Sequence, residues 1–127
     1  MFSTRQHEET EVRELLGQAC RSLRVLCVAE SDEVLIFLIE TKTHFLRGFL
    51  DAGLLFLDEF RQGDTSEELE DGETFIRLED TYPLKGKTIV AAEMRGGAFR
   101  LRFQDGPDVV FCEENEETRV RVSTEPN

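Results

Sequence analysis

The apolar residues Val12, Leu15, Leu16, Ala19, Cys20 and Leu23 recur at spacings of three and four, which lines them up on one face of a helix. The spacing predicts an amphipathic N-terminal helix over about residues 4–23. Ser3 and Gln6 have the spacing of a capping box. Glu8, Glu9 and Glu11 fall where the positive end of the helix dipole favours carboxylates, and Arg21 and Arg24 fall near the other end.

From Arg24 the period changes. Arg24 to Glu30 and Val34 to Glu40 are short runs rich in Val, Ile, Leu and Phe, parted by Ser31, Asp32 and Glu33, and read as a β-hairpin. Val34 to Ile39 shows no polar alternation, so this strand is expected to be central and covered on both faces. A helix, a loop or the second subunit of a homodimer would each supply that cover. Residues 45–60 read as two strands around an Asp51-Ala-Gly53 turn. A helix stays open as the alternative, because Leu46, Phe49, Leu50, Gly53 and Leu57 also have helical spacing.

Arg61 to Glu73 holds six acids, one base and the single large apolar residue Leu69, a composition that predicts an exposed acidic loop. A second meander follows over about 74–123, with a polar tail at 124–127. Its strands are Thr74 to Leu78, Thr88 to Met94, Ala98 to Phe103, Asp108 to Cys112 and Thr118 to Val122, with turns at Gly96-Gly97 and Asp105-Gly106. Offset by about 64 residues the halves resemble each other, with Phe37 and Ile39 falling on Leu101 and Phe103. The expected fold is a single α+β domain, the helix packed on a mainly antiparallel meandering sheet, with two duplicated meanders as a variant.

Composition narrows the function classes. The chain has 127 residues, 39% of them apolar, with ten phenylalanines spread along its length, which suffices for one core without a metal or disulfide staple. No run of about 18 apolar residues is present and the N-terminus lacks signal-peptide regions, so the reading is cytoplasmic and not membrane-bound. Cys20, Cys27 and Cys112 form no Cys-x-x-Cys pair and read as buried thiols.

Twenty-seven acidic against fifteen basic side chains give a formal charge of −12. That field disfavours direct nucleic-acid binding and favours a basic protein as partner.

No motif carries catalysis. His7 and His44 lie apart from each other and from the cysteines, and no nucleophile elbow, phosphate loop or calcium loop is found. The expectation is no enzyme, no cofactor and no metal, the run Glu113 to Glu117 included. Two candidate partner-binding surfaces remain. One is the acidic loop, with Asp64, Glu67, Glu68, Glu70, Asp71 and Glu73, alongside the acidic helix face at Glu8, Glu9, Glu11 and Glu14. The other is a basic stripe of Arg100, Arg102, Arg119 and Arg121, which strand alternation sets on the wet face. Cross-strand pairing of these arginines with Glu93, Asp108 or the Glu113 to Glu117 cluster is the alternative to a docking role.

Leu84-Lys-Gly-Lys-Thr-Ile-Val-Ala-Ala, Phe99-Arg-Leu-Arg-Phe-Gln-Asp-Gly, Val109-Val-Phe and Glu117-Thr-Arg-Val together resemble the β-meander of small acidic bacterial domains of unknown function, many of them similar to immunity proteins of polymorphic or contact-dependent toxin systems. The resemblance spans about the last 45 residues and lies in rhythm, so it transfers no functional residue. It implies a bacterial or phage cytoplasmic binding protein. The leading expectation is an immunity or inhibitor protein that neutralises a basic toxin or nuclease. An acidic secretion chaperone, a small-ligand binder or an enzyme of another class are the alternatives.

Overall fold

The structure, a computed structural model, describes residues 5–28, 31–60 and 72–124. The described chain forms β1 (Arg5–His7), β2 (Thr10–Glu11), β3 (Ser22–Val28), β4 (Val34–Glu40), β5 (Phe45–Asp51), β6 (Leu54–Phe60), β7 (Glu73–Arg77), β8 (Ile89–Arg95), β9 (Ala98–Phe103), β10 (Asp108–Glu114) and β11 (Glu117–Ser123). All pairings are antiparallel. The first sheet has the order β1-β6-β5-β4-β3-β7 and the second β11-β10-β9-β8-β2.

This corrects the α+β expectation, because the described residues contain no α-helix. The segment read as an amphipathic helix is β2, a 3-10 turn at Arg13–Leu15 and an irregular strap. Gly17 sits at φ +80, where a helix cannot continue. From there the strap's backbone bonds to the chain leading into β8. Gly17 N donates to Ile89 O at 2.9 Å, Ile89 N to Gln18 O at 2.8 Å, Cys20 N to Lys87 O at 2.8 Å and Gly86 N to Cys20 O at 2.7 Å. Val12, Leu15, Cys20 and Leu23 are nevertheless all buried, while Leu16 is half-buried and Ala19 exposed, so the period found four core residues and assigned them the wrong backbone. The acidic face goes with the helix: Glu8 and Glu9 lie between β1 and β2, Glu11 in β2 and Glu14 in the 3-10 turn.

Residues 45–60 are strands, β5 and β6, as the favoured reading has them. Each meander supplies the body of one sheet, β3 to β6 in the first and β8 to β11 in the second, but the strand expected at Thr74 to Leu78 in the second meander is β7, which pairs with β3 at the edge of the first sheet. Neither carries a helix, which removes the helix-bearing duplicated meander as a description of the fold. Three hairpins close on residue pairs with left-handed φ at both positions, Ala52-Gly53, Gly96-Gly97 and Asn115-Glu116. Two left-handed residues are what a tight hairpin with native twist demands.

The sheets pack face to face on one continuous core. Alternation decides the faces. On β9 Phe99, Leu101 and Phe103 point in while Arg100 and Arg102 point out, and on β10 Val109 and Phe111 point in. β4 lies between β3 and β5 and is buried on both sides, with Phe37 and Ile39 facing the second sheet and Leu38 on the outer face at 4% exposure.

At the centre Phe37 stacks on Phe111 with ring centroids 4.3 Å apart and on Phe99 at 5.5 Å. Its cross-strand neighbour is Gly48. A Cβ there would stand 2.5 Å from Phe37 Cε2 and 2.6 Å from Cζ, so glycine makes room for the ring. Gly48→Ala is therefore expected to cost about 1–3 kcal/mol through overpacking, read as a lowered urea midpoint. Phe37→Leu in the same chain should recover part of that loss, so the double-mutant cycle should show coupling.

Candidate functional site

The two sides of the sandwich differ. On one side the chain passes from β1 in the first sheet to β2 in the second through Glu8 and Glu9 alone, which closes that side with backbone. The opposite side is bounded by the edge strands β7 and β11. β11 packs over β4 and β10 over β5, so β3 and β7 project past the end of the five-stranded sheet.

The projection leaves a slot of about 390 Å³ lined by Val25, Cys27, Ile76, Leu78 and Val120, with Asp32, Glu114, Arg119 and Arg121 at its rim. Ile76 shows that it is an opening into the interior. It pairs with buried Val25 and so faces inward, yet it is 42% exposed. Val120, paired with buried Phe111, also faces inward and is only half-buried. Leu78, from a 3-10 turn at Leu78–Asp80, packs beside β3. Glu79 of the same turn accepts a hydrogen bond from Leu23 N at 3.2 Å, which fixes the turn to the start of β3.

The predicted arginine stripe is divided by the structure. Arg102 pairs with Asp108 across the strands at 3.3 Å. Arg121 pairs with Glu114 and Arg119 with Glu117, while a second Arg119 nitrogen donates to the Ser31 carbonyl in the β3–β4 turn. Arg100 is exposed, opposite Glu93 and Val110, and makes no ion pair among the described residues. Only Arg119 and Arg121 reach the slot, and both arrive with carboxylates. Three of the four acids in the run Glu113 to Glu117 are accounted for in the same way. Glu113 accepts a hydrogen bond from Gly53 N at 2.8 Å, tying β10 to the β5–β6 turn, and Glu114 and Glu117 hold the two arginines. Among the described residues no cluster of His, Cys, Asp and Glu suits a metal ion. Of the acidic-loop candidates, Asp64, Glu67, Glu68, Glu70 and Asp71 lie outside the described residues, and Glu73 begins β7.

Sequence reading missed both the slot and a charged row on the outer face of the first sheet, where Arg77, Arg24, Leu38, Arg47 and Asp58 stand side by side. Arg47 pairs with Asp58 at 3.1 Å, and Arg24 lies 5.6 Å from the Phe45 ring centroid and 3.9 Å from Glu40. Asp58 is 8% exposed, and its Oδ1, like Nε of Arg24, has no hydrogen-bond partner among the described residues. The available signal was the lone charge inside two of the apolar strand runs, Arg24 in β3 and Arg47 in β5, which marks a half-buried ion pair.

Comparison of the chain with protein-family models, with curated proteins and with solved structures finds no match. No helix among the described residues is long and apolar enough to cross a membrane.

Two thiols are perturbed. Burial, helped by the Glu79 carboxylate, pushes Cys20 from 9.0 up to about 12. Burial and then Asp32 raise Cys27, on the slot. The unfolded chain releases these protons from about pH 9 while the folded chain keeps them, so stability is full below that pH and falls as pH rises toward the folded value. The Cys20 share of the slope is about 1.4 kcal/mol per pH unit. Urea midpoints from about pH 8 to 10.5 should fall, and Cys20→Ala should flatten the fall even though its baseline is lower.

Proposed function

We propose that the protein is a cytoplasmic binding protein whose partner is another protein, and that it acts as an inhibitor or immunity protein of a basic toxin or nuclease. The observation that supports this best is the slot. An apolar floor beside a strand edge whose backbone is paired, among the described residues, on one side only offers the two things a polypeptide recognises, buried apolar area and an unfilled hydrogen-bond ladder.

The formal charge of −12 supplies the preference among proteins. A field of that sign speeds the approach of a basic partner and slows that of an acidic one or of nucleic acid. The resemblance of the C-terminal third to immunity-type meanders points the same way. The chaperone alternative drew on small size, acidity and a mixed α and β architecture, and the two-sheet fold removes the last of these.

Capture from native lysate at low and high salt tests the reading. The expected outcome is a basic protein retained at low salt and released over a rise from about 0.05 to 0.5 M, as screening of a charge-steered complex requires. Neutralising the carboxylates from Asp64 to Glu73 should weaken retention if that segment contributes to docking. An empty eluate at both salt concentrations would count against a protein partner.

A further inference from the structure

We infer that the slot receives an extended peptide segment that adds to β11 as the sixth strand of the five-stranded sheet. The inference rests on the protein-binding reading above and specifies how the partner is held.

Three observations converge on β11. Its seven residues form a regular edge strand bonded to β10 throughout, and among the described residues no further strand pairs with its outer side. It contains no proline and no bulge, two of the devices by which edge strands refuse a partner. The opposing sheet already has the matching strand, since the projecting β3 and β7 present inward residues past the β11 edge. A strand added at β11 would lie over Val25, Cys27 and Ile76 and complete the face-to-face packing. Its inward side chains would cover Ile76, Val120 and Val122, which the core leaves partly open along this edge.

The chemistry of the occupant follows from the walls. Alternate residues facing inward should be apolar and of moderate size, because the floor is Val25, Cys27, Ile76 and Leu78. Residues facing outward meet Arg121, already neutralised by Glu114, so uncharged polar side chains suit those positions. Flanking residues enter the field of a strongly acidic protein and should be basic. A second copy of the chain fits worse. Antiparallel pairing of β11 with itself about Val120 would need the Arg119 end of the strand, which is tied to the Ser31 carbonyl, and would bring together two chains that each carry a formal charge of −12. The bond from Arg119 to the Ser31 carbonyl ties β11 to the β3–β4 turn, so the occupied length of β11 runs from Val120 toward Ser123.

The test uses the full chain and fluorescein-labelled peptides of the form Lys-Lys-Thr-Xaa-Thr-Xaa-Thr-Xaa-Lys, with Val, Leu, Ile or Phe at Xaa. The control peptides have their central amides N-methylated. Binding is followed by anisotropy and by amide hydrogen exchange resolved to β11. At least one unmethylated peptide should bind and slow exchange in β11 by about tenfold or more, and the methylated ones should not. Ile76→Asp, at an exposed position, should weaken binding by about tenfold or more while leaving the thermal melt in place. No protection of β11 by any of the peptides, or equal binding by Ile76→Asp, overturns strand addition.

The two readings fail separately. A basic protein captured from lysate equally well by the original chain and by Ile76→Asp would remove the slot and leave the protein-binding function standing. An empty eluate together with protected β11 amides would do the reverse.

Discussion

The sandwich depends on one ring. Phe37 crosses from β4 to the second sheet, stacks on Phe111 and Phe99, and lies in the space that Gly48 leaves on the neighbouring strand. Two sheets pack about 10 Å apart, and a phenylalanine seated on bare backbone can fill that gap together with partners from the other side. A side chain at position 48 would push the ring out of its place between the sheets. The contact therefore sets the β4–β5 pairing and the sheet separation together, and the slot exists because that separation holds out to the edge where one strand is lacking.

Much of the fold was legible along the chain. Alternation in β9 and β11, the glycine pair at 96–97 and the turn at 51–53 are local signals, and each marks a feature present in the structure. The first twenty residues misled because a period of three to four was counted across Gly17. Buried residues in an irregular strap imitate a helix when successive bends happen to return them to the core. What separates the two is the partner of the backbone, and here it lies about seventy residues away in the chain entering β8, beyond the reach of any local window.

The candidate site was less legible, for the same reason. Alternation placed Arg100, Arg102, Arg119 and Arg121 on one face and left open whether they dock a partner or pair with nearby acids, and the structure pairs Arg102 with Asp108, Arg119 with Glu117 and Arg121 with Glu114. Ile76 stands in a short run of mixed character with nothing to mark it. It becomes informative only when the strand counts and offset of the two sheets are known, and an offset between sheets is a property of the whole assembly.

The crossing from β1 to β2 has a consequence for how the molecule comes into being. These strands are near the start of the chain, yet their neighbours β6 and β8 are formed from residues about fifty and eighty positions later. Hairpins such as β5–β6 and β8–β9 can form as soon as their own residues are available, whereas the first strands must wait for both sheets. During synthesis β1 and β2 therefore stay unpaired until β6 and β8 have been made, and their docking is a late event that joins two preformed sheets. The two sheets form from local hairpins first and are fastened together afterwards by strands that precede them in the chain.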